Sequence, residues 1–276
     1  MTRALLLAVL AVVATLMTAG RSGADTGVRY YLSLGDSYAQ GYQPIGGPSS
    51  PLGSPGYNQG YADQLLKLAR DRYGQLRLVK LGCGGETTTT MIEGTPWCGP
   101  NITPGSQLAQ ARAFLETHQG EVAFVTINIG GNDVIAPDGG GGAAIQANLP
   151  VILGQLREAA GPDIPIIGMS YYHPFLPDLW FGTQDMGALH AAVHAILSFN
   201  DLLASIYDAA GDPVADVDSA FSTTDVGDAN GDGVPDNVER VCALTWECTS
   251  PPHGPDRHPN TTGYSVMAHA FEQALP

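Results

Sequence analysis

The sequence predicts an α/β protein whose parallel sheet is covered by helices on both faces. Five short runs rich in Val, Ile and Leu recur along the chain, alternating with longer amphipathic stretches of helical spacing. The runs are nearly continuous rather than strictly alternating in polarity, as strands buried on both sides are. Sheets of this kind hold ligands beyond the carboxyl ends of their strands, so the residues just after each run are the first candidates for function.

The first run, "VRYYLSL" at 28–34, ends directly in Gly35-Asp36-Ser37. An amphipathic segment from Tyr61 to Tyr73 leads to the second run, "LRLVKL" at 76–81. A helix over Gln107–His118 precedes "VAFVTINI" at 122–129, and one over Ala143–Ala159 precedes "IPIIGMS" at 164–170. A helix over Met186–Ala209 leads to "PVADV" at 213–217, and a last helix starts at about Thr262. Three stretches break the alternation: the Gly/Pro/Ser-rich segment 41–60, "PDGGGG" at 137–142, and an acidic insertion at about 219–255. Long loops in a compact domain tend to carry function, so the expectation for 25–276 is one domain with an elaborated rim.

The first 24 residues stand apart. Arg3 precedes the apolar run Ala4–Met17, and small residues follow up to Ser22–Ala24, the layout of a secretory signal peptide. The run is short for a bilayer span and no second apolar segment approaches twenty residues, so export without a membrane anchor is expected. Loss of Arg3 and Arg21 leaves ten Lys+Arg against 27 Asp+Glu, a formal charge of −17. A surface of that sign repels nucleic acid and anionic lipid heads.

Export also decides how the cysteines read. An even count in an oxidising compartment implies disulfides, and the local pairs Cys83–Cys98 and Cys242–Cys248 are favoured over the other two connectivities. Closing the first loop, of about fifteen residues, would contribute roughly 3 kcal/mol. A four-Cys zinc site is not expected, because close Cys-x-x-Cys pairs are missing.

Ser37 follows the first strand, so its hydroxyl would stand at the sheet's carboxyl edge. A hydroxyl is a weak nucleophile until a base takes its proton. "GPDRHPN" at 254–260 offers His258, held extended by Pro259, with Asp256 two residues earlier on the same side of the segment, where it can orient the imidazole. Gly84-Gly85 after the second strand and Asn132 after the third would supply hydrogen-bond donors for an oxyanion. Taken singly, Ser37 and Asn132 read as helix caps, and the glycines and "DRHPN" as turns. Four such coincidences together favour chemistry.

"GDS" at 35–37, Gly85 in "GGET", Asn132 in "GGND" and His258 in "DRHPN" resemble, in that order, the four blocks of the GDSL/SGNH hydrolase family. The resemblance implies a flavodoxin-like three-layer α/β/α sandwich with a five-stranded parallel sheet. It implies ester hydrolysis through an acyl-serine intermediate without a cofactor. By the same transfer Ser37 is the nucleophile and His258 the base, and the oxyanion hole comprises the N–H groups of Ser37 and Gly85 with the Asn132 amide. Two departures stand out. Tyr38 replaces the leucine of the family name, and Asp256 lies two residues before His258 where the family's acid often lies three before. Either Asp256 or a backbone carbonyl therefore orients the histidine.

"DANGDGVPDNVE" at 228–239 places Asp228, Asn230, Asp232, Asp236 and Glu239 at loop positions 1, 3, 5, 9 and 12, with Gly233 at position 6 and the Val234 carbonyl at position 7. That is the spacing of an EF-hand calcium loop, although Pro235 and the lack of clear flanking helices depart from it. A structural Ca2+ that stiffens the approach to His258 is expected, against the alternative of a solvated acidic turn.

His190 and His194 have a spacing that metals use, but no glutamate or third ligand accompanies them. Tyr171, Tyr172 and His173 follow the fourth strand and either line an acyl pocket or pack. Trp97, Trp180 and Trp246 serve ligand binding or the core. No Gly-x-Ser-x-Gly, P-loop or dinucleotide fingerprint is present. The expectation is a secreted, monomeric esterase or lipase acting on small-molecule, lipid or acylated-carbohydrate esters. Polysaccharide O-deacetylation is the alternative enzyme reading, and a non-catalytic carbohydrate- or surface-binding module the alternative of another class.

Overall fold

The computed structural model describes residues 27–44, 57–96, 105–137 and 140–276. The proposed signal peptide, Trp97, Cys98 and much of the 41–60 loop lie outside them. Five parallel strands, β1 (Arg29–Gly35), β2 (Leu76–Lys80), β3 (Val122–Asn128), β4 (Ile166–Met169) and β5 (Val214–Ala215), form one sheet in the order β2-β1-β3-β4-β5. All seven residues of β3 are buried, as its central place requires, whereas β2 at the edge is half-buried. The chain steps from β1 outward to β2 and then back across to β3. The loops after β1 and β3 therefore diverge and leave a crevice between them at their carboxyl ends.

The helices are α1 (Ser37–Gln40), α2 (Tyr61–Leu68), α3 (Arg70–Tyr73), α4 (Thr88–Glu93), α5 (Gln107–Thr117), α6 (Gly131–Ile135), α7 (Gly141–Ala160), α8 (Leu176–Thr183), α9 (Met186–Ala210), α10 (Val217–Ala220), α11 (Asp236–Leu244) and α12 (Thr261–Ala274). α2 packs with α12, while α5, α7 and α9 pack in succession. Right-handed crossovers put these two groups on opposite faces, because the path reverses direction after β2. A hairpin, β6 (Thr245–Trp246) with β7 (Asp256–Pro259), stands outside the main sheet.

The expected strands and long helices form. The segment expected as one helix over Tyr61–Tyr73 divides at Ala69 into α2 and α3. The acidic insertion is not a plain loop, since it contains α11, β6 and the Cys242–Cys248 disulfide. Cys83 is disulfide-bonded, and its expected partner Cys98 falls outside the described residues. α9 corrects another expectation: its 25 residues are long and apolar enough to cross a membrane by length and composition. It packs against α7 and α8, with 22% of that apolar stretch buried. Leu189, Val193, Leu203 and Tyr207 form its buried stripe, and a Cβ on Gly168 of β4 would overlap the Tyr207 ring.

Candidate active site

At the crevice, β1 ends on Gly35 with φ 132°, and a Cβ there would overlap the Asn128 carbonyl oxygen. Only glycine lets the ends of β1 and β3 approach so closely. The Gln107 side chain clamps the same residue, accepting from Gly35 N at 2.6 Å and donating to Gly35 O at 2.9 Å. Its amide also donates to Glu86 Oε2 at 3.0 Å, tying β1 to the loop after β2. Nothing in the sequence pattern singled out Gln107.

Asp36, not Ser37, caps α1: its carboxylate accepts from Tyr38 N at 2.8 Å. Ser37 is thereby the first helical residue, and its Oγ is free to face the base. The Asp36 carboxylate also accepts from Asn128 Nδ2 at 2.6 Å and from the Tyr171 hydroxyl at 3.3 Å. Burial pushes this carboxyl up to about 6, a rise that those hydrogen bonds and the attraction of His258 only limit.

From the far end of the chain, β7 delivers the histidine. Ser37 Oγ lies 2.8 Å from His258 Nε2, and Asp256 Oδ1 lies 2.7 Å from His258 Nδ1. The same Asp256 oxygen accepts from the His258 backbone N–H at 2.9 Å. An acid two residues before the histidine reaches it because the strand puts i and i+2 on one side. Burial alone would raise the Asp256 carboxyl, but the His258 ring, its N–H and Arg257 hold it below the usual carboxylate range. The Tyr172 hydroxyl donates to the Arg257 carbonyl at 2.9 Å and accepts from the Tyr38 hydroxyl at 3.1 Å, so the helix that carries the serine and the strand that carries the histidine share one support. The Tyr42 ring lies 4.5 Å from the imidazole.

Gly85 has φ 80° in a turn closed by Glu86 N donating to Cys83 O at 3.1 Å. Asn132 Nδ2 donates to the Glu86 carbonyl at 3.0 Å, which keeps Asn132 beside that turn. α6, which carries Asn132, is anchored by its neighbour Asp133: the buried carboxylate accepts from Thr88 N at 2.9 Å and from Thr88 Oγ1 at 2.5 Å. Ser37, Asn132, Asp256 and His258 line one cleft of about 470 Å³. Tyr171 and Tyr172 combine both expected roles, being buried in the core and lining the cleft, and His173 lines it as well. Trp180 is core, and Trp246 Nε1 donates to Gln43 Oε1 at 3.3 Å.

In the 228–239 loop, Asp228 accepts from the N–H groups of Gly231, Asp232 and Gly233. Asn230 Nδ2 donates to both oxygens of Glu239 at 3.0 and 3.1 Å. Asp232 accepts from Val234 N, and Asp236 from Ala229 N. The helix that leaves the loop exists as α11, correcting part of the expectation, while the short α10 ends well before Asp228. Among the described residues no group of three or more His, Cys, Asp or Glu is placed to hold a metal ion, His190 and His194 included.

A parallel sheet of this order with a serine, a histidine and an acid joined in series at its crevice defines the α/β/α hydrolases of the SGNH fold. The chain belongs to the GDSL-like lipase/acylhydrolase family, whose profile matches residues 33–266, and it is accordingly a carboxylic ester hydrolase. Similar solved structures include an alpha/beta hydrolase enzyme from the metagenome of Lake Arreo, Spain, with 18% identity and a TM-score of 0.54 over 90% of this chain and 94% of that one. The acetylxylan esterase Axe2 from Geobacillus stearothermophilus shows 17% identity and a TM-score of 0.53 over the same shares. The lipase Lip_vut3 from a goat rumen metagenome shows 18% identity and a TM-score of 0.50 over 89% of this chain and 97% of that one. No curated protein sequence matches.

Proposed function

We propose that the protein is a secreted esterase or lipase that cleaves its ester through an acyl-serine intermediate. The Ser37–His258–Asp256 series of contacts at 2.8 and 2.7 Å carries this reading. His258 Nε2 takes the Ser37 proton as Oγ attacks the ester carbonyl, and Asp256 stabilises the imidazolium through Nδ1–H. The N–H groups of Ser37 and Gly85 and the Asn132 amide receive the developing oxyanion. His258 then gives its proton to the leaving alkoxide, and water, deprotonated by the same imidazole, releases the acyl group.

A fluorophosphonate should label the wild type and leave Ser37→Ala unlabelled, which separates an enzyme from a binding module of the same fold. Ser37→Ala should lose essentially all hydrolysis of a chromogenic ester, and Asn132→Ala about 10²- to 10³-fold in kcat. Full activity in Ser37→Ala would end the proposal. Acetylated polysaccharide is the competing substrate, suggested by the acetylxylan esterase of the same fold, and activity on acetylated xylan above that on simple esters would favour it. Secretion rests on the charged, apolar and small-residue order of residues 1–24.

We also propose a structural calcium ion at Asp228, Asn230, Asp232, Val234, Asp236 and Glu239. The donor set is all oxygen, which suits Ca2+, and the Glu239 carboxylate closes on Asn230 across the loop. Bound there, the ion would gather like charges ahead of α11 and the disulfide that lead to β7.

A further inference from the structure

We infer that helices α6 and α9 form an acyl-binding wall, and that the preferred substrates are esters of acids with several methylenes rather than acetates. This inference rests on the proposed acyl-serine reading, which sets the direction of the substrate. The carbonyl oxygen belongs at Asn132, and the leaving oxygen belongs at His258 Nε2, where it must collect a proton. The alcohol therefore extends along the His258 strand, past Arg257 and Phe175. The acyl chain takes the remaining direction, along the helix that carries Asn132.

The two parts of the cleft differ in chemistry as that assignment requires. On the alcohol side the Arg257 guanidinium lies 4.3 Å from the Phe175 ring centre and pairs with Asp178 at 3.1 Å. The cleft residues contributed by α9, and those of α6 beyond Asn132, carry no polar side chain: Val134, Ile135, Ala195, Ile196 and Phe199. Val134 and Ile135 are 46% and 56% exposed. Their exposure is imposed, because the buried Asp133 between Asn132 and Val134 pins α6 to Thr88 and turns the following residues outward.

Glycines bring this wall close to its floor. A Cβ on Gly131 would sit 3.0 Å from the Tyr171 ring, and one on Gly130 would sit 3.6 Å from Phe199. Tyr171 and Phe199 lie 5.5 Å apart and join the two parts of the wall. At about 470 Å³ the cleft falls among sites that take drug-sized ligands, far beyond the need of a two-carbon acyl group. An apolar groove that starts at a nucleophile and opens beside exposed Val and Ile suits a hydrocarbon chain.

The test is kcat/KM for p-nitrophenyl esters from acetate to decanoate. Each methylene buried against the wall should raise the value up to about fourfold until the groove is filled. Ala195→Trp should obstruct the groove and lower the octanoate-to-acetate ratio by about tenfold, and Ile135→Asp should lower it severalfold. Both positions are exposed, so the variants should melt like the wild type. A profile that is flat or highest at acetate, or ratios unchanged in both folded variants, would overturn the inference while leaving the acyl-serine reading intact. Absence of hydrolysis at every length, together with no fluorophosphonate labelling, would overturn both.

Discussion

Asp36 holds a carboxyl in the core directly beneath the serine, and its energetics run against stability. Its proton is bound more tightly in the folded protein, where the carboxyl sits at about 6, than in the unfolded chain, where an aspartate sits near ~3.9. Stability from this group is therefore complete below pH ~4, declines as pH rises to about 6, and stays lower above, by on the order of 3 kcal/mol. Ionised Asp36 in turn attracts the imidazolium of His258. An asparagine side chain at this position would keep the cap through its oxygen and could donate to the Tyr171 hydroxyl with its nitrogen. Asp36→Asn should melt close to the wild type at pH 4, increasingly above it up to pH 6 to 7, and should have about tenfold lower kcat. A melting difference independent of pH would contradict this account. The comparison isolates Asp36 from Glu86 and Asp133, which burial also raises.

Among elements, the junction of β1 with β3 is decisive because two strand ends must come close enough to serve one reaction. Gly35 permits the approach, Gln107 clamps it, and Asp36 N donates to Asn128 O at 3.2 Å. Gly35→Ala would meet both the steric overlap and the unfavourable φ, so it should cost about 2–4 kcal/mol and lower activity even where the protein stays folded. Urea unfolding measures the first and kcat the second. A neutral substitution would show that the two strands can separate without harm. α6 works on the same principle, since its anchor Asp133 and its candidate oxyanion donor Asn132 are adjacent. The element is thus positioned by one residue and used by the next.

For the whole molecule the calcium reading has the widest reach, because the 228–239 loop leads through α11 and the disulfide to the strand that carries His258. Chelation with EGTA should lower the melting temperature and added Ca2+ should restore it, with about one ion per chain by elemental analysis. An unchanged melt without bound calcium would leave the loop as a hydrogen-bonded acidic turn. The formal charge of −15 for the whole sequence acts separately, by favouring solubility.

The order of strands and long helices was legible in the linear pattern, because a two-sided strand and an amphipathic helix each reveal burial by local spacing alone. The sequence also singled out Ser37, His258 and the Asp256 two before the histidine, which the structure joins in series, and Asn132, which lines the same cleft, because residue type and position at a strand end already constrain chemistry. α4, α6, α8 and α11 were not legible. They are short, contain Thr runs, Gly or flanking Pro, and depend on tertiary contacts more than on propensity; only α4 has a side-chain cap, from Thr87. Gln107, Asn128 and Asp133 were silent for a related reason: each acts on a residue at least 40 positions away, across a contact that exists only after the sheet is assembled. Sequence alone determined which groups are available to break an ester. The tertiary structure decided their separations, the buried charge beneath them and the apolar wall beside them, because those depend on distances between segments that no local pattern encodes.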